Sequence, residues 1–141
     1  MKKFLSSKNT VIIVILWGLV SILLTILYVT IQSGERNILS IAVIVVTALM
    51  IIWILVDTRY LIKNQDLFYR SGPFRGKINV LEIYKIENFI GNNPPVTTKP
   101  ALDNKGFIIY YQKTKSIFIS PNNEIEFLKL LLFINKDITI V

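Results

Sequence analysis

The sequence predicts an α+β protein: a two-helix transmembrane hairpin, then an antiparallel β-sheet or partial barrel capped by a C-terminal helix. Three observations carry this. Two long runs near the N-terminus are uncharged. Short alternating segments fill the middle. One amphipathic helical pattern lies close to the C-terminus.

Residues 1–10 read as a cytoplasmic tail bearing Lys2, Lys3 and Lys8. The run 11–31 (VIIVILWGLVSILLTILYVTI) carries no charge. As a helix it extends roughly 31 Å, the thickness of a hydrocarbon core. The run 38–56 (ILSIAVIVVTALMIIWILV) is also uncharged and extends roughly 28 Å. Its β-branched residues matter little in lipid, where a helix satisfies every backbone group internally. A cleaved signal peptide is the competing reading of the first run. That run is too long for an h-region, lacks a small-residue cleavage site and is followed at once by a second run. Residues 32–37 (QSGERN) form an external turn, within which Glu35 and Arg36 cancel.

The flanks set the orientation. Lys2, Lys3 and Lys8 precede the first span; Arg59, Lys63, Arg70, Arg75 and Lys77 follow the second. The positive-inside rule then places both termini in the cytoplasm of a multi-pass cell-membrane protein. Tyr28 and Trp53 suit interfacial belts, whereas Trp17 lies deeper. Neither span holds Asp, Glu, Lys or Arg, which argues against a transporter or proton relay. Ser21, Thr25, Ser40 and Thr47 are expected to bond their own helix backbone.

Residues 57–141 hold 12 Lys and Arg against 8 Asp and Glu, net +4, in a length at which one domain can fold. Arg59–Lys63 alternates, Asn64-Gln65-Asp66 turns, and Leu67–Arg70 alternates again before Ser71-Gly72-Pro73. Lys77–Val80 gives another short strand and 81–90 a bent one. The segment 91–100 (GNNPPVTTKP) is a loop. Phe107–Gln112 and Ser116–Ile119 form a hairpin around Lys113-Thr114-Lys115. Ser120 is the expected N-cap and Pro121 the first helical residue. Ile125, Leu128 and Leu132 define the helix face, widened by Phe127, Leu130, Leu131 and Ile134. Residues 138–141 offer one more strand.

The segments Tyr60, Asp66-Leu67, Gly72, Ile78, Ile83, Ile86, Pro100-Ala101-Leu102, Ile108-Ile109-Tyr110-Tyr111 and Ile119-Ser120-Pro121, followed by Glu124, Phe127 and Leu131, resemble the bacterial pleckstrin-homology-like (PH-like) domains of the YyaB-like family. The neighbouring SunI-like group, which includes a bacteriocin immunity protein, is similar in plan. The resemblance spans about residues 58–140 and implies a PH-like fold without an activity. Such domains often carry a serine and an arginine after the counterpart of Ala101-Leu102; here the chain reads Asp103-Asn104-Lys105-Gly106.

Chemistry-bearing residues are few. The chain has no Cys and no His, so thiolate chemistry, disulfides and the commonest general base are missing. No Ser-x-x-Lys and no phosphate-binding glycine loop occurs, and Glu124 and Glu126 diverge on their helix. An enzyme is therefore not expected, nor are a cofactor, a metal or nucleic acid. Asp103-Asn104-Lys105-Gly106 reads as a turn before a strand and not as a cation loop. Lys113 and Lys115 read as a solvated hairpin tip. Arg70, Phe74, Arg75 and Lys77 form the candidate contact with anionic lipid. The competing reading leaves those charges to fix topology and puts Phe74 in the core. The function expected is a membrane-held PH-like domain that binds lipid or a membrane or cytoplasmic protein. The alternatives are a toxin-immunity protein and an accessory subunit of a membrane complex.

Overall fold

The computed structural model describes residues 1–34 and 37–141; Glu35 and Arg36, part of the expected turn, lie outside them. The two uncharged runs form helices α1 (Thr10–Gln32) and α2 (Ile38–Asp57). Each starts on an asparagine. The Asn9 side chain accepts from the amides of Val11 and Ile12, and Asn37 from those of Leu39 and Ser40. Those amides have no partner within their own helix, so the caps fix both starts.

Mean hydropathy over the two helices reaches 2.8 and 3.0, yet only 6% and 11% of those windows are buried. Core helices of a soluble domain would be mostly covered. These two instead leave most of their apolar side chains exposed and are long and apolar enough to cross a membrane. Ser21, Thr25 and Thr47 each donate to the carbonyl four residues earlier, as expected.

Among the described residues, eight strands form two sheets. The first has order β1-β2-β3-β4, from Lys2–Leu5, Arg59–Lys63, Asp66–Ser71 and Phe74–Asn79, all antiparallel. The second has order β7-β6-β5-β8, from Lys115–Ile119, Lys105–Tyr111, Ile83–Ile90 and Thr139–Ile140, with β8 parallel to β5. A short 3-10 helix at Val80–Glu82, capped by Asn79, turns the chain from one sheet into the other. The bend expected in 81–90 is this turn plus a register shift between Ile83 and Lys85.

Helix α3 (Glu124–Ile134) closes the open end. Phe127 is fully buried and meets Phe4 at 5.2 Å, Tyr60 at 6.4 Å and Phe107 at 6.5 Å between ring centres. Asn135, its C-cap, donates to the carbonyls of Val80 and Ile83, both at 3.0 Å, and so pins the helix to the corner between the sheets.

Four readings of the sequence are corrected. The expected tail at 1–10 supplies strand β1, whose Phe4 enters the core. Too short to show periodicity before Asn9, it is stabilised by a distant partner, Arg59–Lys63. Strand β4 starts at Phe74 and ends at Asn79, not at Lys77 and Val80. Helix α3 starts later than Pro121, because Asn123 is the residue whose side chain accepts from an amide, that of Glu126. Ser120 is instead buried among Ser6 and Tyr60. The buried face of α3 centres on Phe127 and Leu131, while Ile125 is exposed.

Candidate functional site

The hairpin and the domain are joined at two places, which defines a hairpin-proximal end of the domain. Only Thr58 separates α2 from β2. Its hydroxyl donates to the Ile54 carbonyl at 2.6 Å and shares a hydrogen bond with Ser71 at 2.9 Å. Gly72, at φ 56°, turns β3 into β4 directly against Ile54; a Cβ there would lie 2.8 Å from the Ile54 side chain. At the other junction the Asn9 amide donates to Leu102 at 3.0 Å. The Asn9 side-chain amide donates to Asn104 Oδ1 at 3.0 Å and Ser7 Oγ to Asp103 Oδ2 at 2.6 Å. The Asp103 carboxyl is pulled below its usual range. Burial pushes it up, but the bonds from Ser7 and the amides of Asn104 and Lys105 outweigh that.

Strand register aligns the basic residues. Leu5, Arg59, Arg70 and Arg75 are successive partners across β1 to β4, and Lys3, Leu61, Phe68 and Lys77 form the next row. Directly opposed residues share a face, so these eight side chains stand on the outer face of the first sheet. The inner rows carry Tyr60, Ile62, Leu67 and Ile78, which are buried. The arginine row is the hairpin-proximal one.

Asp57, at the end of α2, is the anionic hub beneath it. It pairs with Arg59 at 3.2 Å and with Arg70, and it accepts from Trp53 Nε1 at 3.2 Å. Lys77 lies 3.4 Å from Asp66 and 6.0 Å from the Phe68 ring. Arg75 has no ion pair among the described residues, so it is the most available cation of the row.

Arg70, Arg75 and Lys77 are thus brought onto one surface, joined by Arg59 and Lys3. Phe74 is not on it. It is 60% exposed, which excludes the core placement. It lines a separate cleft with Ser71 and residues 97–100.

Lys113 and Lys115 sit at the opposite end. Strand β6 starts beside Asn104 and the foot of α1, and seven residues of strand carry the chain about 23 Å away from it. Asp103 Oδ1 accepts from the amides of Asn104 at 2.7 Å and Lys105 at 3.3 Å, which is the turn the sequence suggests. Glu124 and Glu126 point to different partners, Lys105 and Lys2.

A second proximal feature escaped the sequence. The first turns of α1 (Val11, Ile12, Ile15) and the polar group Asn9, Asn92, Lys99 and Asn104 line a cleft of about 380 Å³. Lys99 Nζ donates to the Asn92 carbonyl at 3.1 Å and lies 5.4 Å from the Phe118 ring. Burial pushes its pKa down, with Asp103 acting in the other direction. A lone lysine in a Pro-rich loop has no periodicity to mark it, and its neighbours come from residues 9–15.

Two sheets closed by a C-terminal helix are the plan of a PH-like domain, and the bacterial PH domain family matches residues 58–135. The chain belongs to that family. No curated protein and no solved structure matches it. The matched segment of this bacterial PH domain runs from the α2–β2 junction to the C-cap of α3. Strand β1, α1, α2 and β8 lie outside it, yet β1 and β8 complete its two sheets.

Proposed function

We propose that this chain is a non-enzymatic, membrane-tethered binding module. Its hairpin holds the PH domain at the cytoplasmic surface of the cell membrane, and the outer face of the first sheet docks a protein with an acidic, partly apolar surface. The observation that carries this is the two-row patch. Arg59, Arg70 and Arg75 lie in one row, and Lys3 and Lys77 flank Leu61 and Phe68 in the next. Cations around an apolar centre match the makeup of a protein docking site better than that of a purely electrostatic one. Tethering raises the effective concentration of such a module toward partners in or near the membrane.

Placement at the inner surface is supported by the flanking charges. The pairing of β1 with β2 supports both ends of the hairpin lying on one side of the membrane, whichever side that is. The non-enzymatic reading rests on a sequence without His or Cys. A second reading, contact with anionic headgroups, is favoured by one observation: the arginine row is the one beside the end of α2. The toxin-immunity alternative rests on analogy with the SunI-like group.

Two experiments test the proposal. The chain has no cysteine, so Ser33→Cys and Asn122→Cys are each labelled with an impermeant maleimide on intact cells. Labelling of Ser33→Cys alone is expected; labelling of Asn122→Cys would put the domain outside and end the inner-surface reading. A photo-crosslinking residue at Leu61 is then expected to give a discrete protein adduct that Arg75→Glu with Lys77→Glu abolishes. Adducts to lipid alone would favour the headgroup reading.

A further inference from the structure

The cleft at the foot of α1 is lined by polar residues, Asn9, Asn92, Lys99 and Asn104, and by apolar ones from the first turns of α1, Val11, Ile12 and Ile15. Ile15 lies one helical turn, about 6 Å, further into α1 than Val11. Val11 and Ile15 are exposed, at 65% and 56%. On the tethered reading above, on which this inference rests, their surroundings are acyl chain. Asn9, the N-cap of α1, and the polar residues around it then sit at headgroup depth.

Lys99 is held there with donors to spare. An ammonium has three N–H groups, and one is used on the Asn92 carbonyl at 3.1 Å. The nearby Asp103 carboxylate keeps its charge and acts on Lys99 through space, but it forms no ion pair with it among the described residues, its oxygens accepting from Ser7 Oγ and from the amides of Asn104 and Lys105. The first amides of α1 are likewise occupied by Asn9 Oδ1. Lys99 is therefore the cation that an anion in this cleft would meet. The loop carrying it has a fixed position: Phe118 donates to the Thr98 carbonyl at 3.0 Å, and Tyr60 donates to that of Pro100 at 2.7 Å.

We infer that this cleft holds one anionic glycerophospholipid, its phosphate on the Lys99 ammonium and an acyl chain along Val11, Ile12 and Ile15. The lipid fills the angle between hairpin and domain and is distinct from any partner on the outer face of the first sheet. A bound lipid here makes the junction sensitive to the anionic content of the membrane, since the same cleft walls include both α1 and the loop of the domain.

The test uses the full-length protein in mild detergent, titrated with phosphatidylglycerol or phosphatidylcholine and read by native mass spectrometry. One retained phosphatidylglycerol per chain is expected, with much weaker retention of phosphatidylcholine. Lys99→Gln should weaken phosphatidylglycerol retention about fivefold or more. Asn104→Asp keeps the acceptor for Asn9 but adds a negative charge at the cleft, and should weaken it as well. Arg75→Glu with Lys77→Glu should leave it unchanged. Glycerol phosphate should not compete, because it lacks the acyl chain. Wild-type retention in both Lys99→Gln and Asn104→Asp overturns the inference, as does equal retention of the two lipids. Loss confined to Arg75→Glu with Lys77→Glu also overturns it and moves the lipid to the sheet. The maleimide labelling above reports the tethered placement separately, so failure of that placement is not confused with failure of the site.

Discussion

Tyr60 joins the three segments that meet at the hairpin-proximal end. Its hydroxyl donates to the Pro100 carbonyl at 2.7 Å and accepts from the Ser120 amide at 3.2 Å; the Ser6 and Ser120 hydroxyls, 2.9 Å apart, complete the buried group. Tyr60→Phe leaves a buried carbonyl and amide short of a partner, and should cost about 1–3 kcal/mol, read as a lower unfolding midpoint. Burial raises the Tyr60 pKa above 10.0, ahead of the opposing bonds from Ser120 and Ser6. The neutral form is thus favoured in the folded protein. Its contribution is complete below the unfolded pKa and is lost as pH rises through the folded one. The expected result is alkaline destabilisation, followed by tyrosinate absorbance during unfolding, that Tyr60→Phe lessens; Tyr110 and Tyr111, also raised by burial, supply the remainder.

Two glycines make a sharper residue-scale comparison. A Cβ on Gly106 would collide with the Ile119 carbonyl oxygen, which is backbone of the neighbouring strand. A Cβ on Gly76 would meet the far end of the Tyr69 ring, which can swing aside. Gly106→Ala should therefore destabilise the domain by at least the about 1–3 kcal/mol typical of overpacking. Gly76→Ala should cost clearly less. Equal midpoints for the two variants would contradict this reading of the close approach.

At the scale of elements, β1 is the piece that couples sequence ends. It adds the edge strand to β2, places Phe4 against Phe127, and continues through Ser6 and Ser7 into the foot of α1. Residues 58–141 alone lack this strand and expose the Tyr60–Phe127 side of the core. Loss of a buried Phe side chain alone costs about 3–5 kcal/mol, a large share of a small domain's stability of about 5–15 kcal/mol. The fragment 58–141 should be marginal in solution. Residues 1–9 joined to Thr58 by a short Gly/Ser linker should restore a cooperative transition, because the Ser6 amide already donates to the Thr58 carbonyl at 3.2 Å. Circular dichroism of the two proteins is the check; similar melting would show that β1 is dispensable.

For the whole molecule, hairpin and domain are tied at both ends, so neither helix hangs from a free linker. One tie is Asp57 with Arg59 and Arg70; the other is Ser7 with Asp103. The lowered Asp103 pKa gives the second tie a pH dependence. Its contribution is present above the ordinary carboxyl range and is lost as pH falls through the folded value. The stability difference between wild type and Asp103→Asn should accordingly shrink in acid. A constant difference down to the acid transition would show that the carboxylate charge is not used.

The sequence by itself determined the local features. Uncharged runs dictate the two long helices, because length and apolarity are additive along the chain. Alternation and turn residues located β2, β3, the β6–β7 hairpin and the C-terminal strand. The basic residues are visible one by one, and the sequence alone marks Arg70, Arg75 and Lys77 as candidates. Tertiary structure decided everything that depends on distant partners. Strand β1 forms because Arg59–Lys63 is waiting for it, and the true start of α3 follows once Ser120 is buried with Ser6 and Tyr60. Register, which no single strand encodes, sets Arg59, Arg70 and Arg75 in one row and turns Phe74 away from it. Lys99 acquires a cleft only when residues 9–15 and 92–104, remote in sequence, meet at the foot of α1. Hydrophobic length is read along the chain; a binding surface is a coincidence of segments in space, and folding supplies that coincidence.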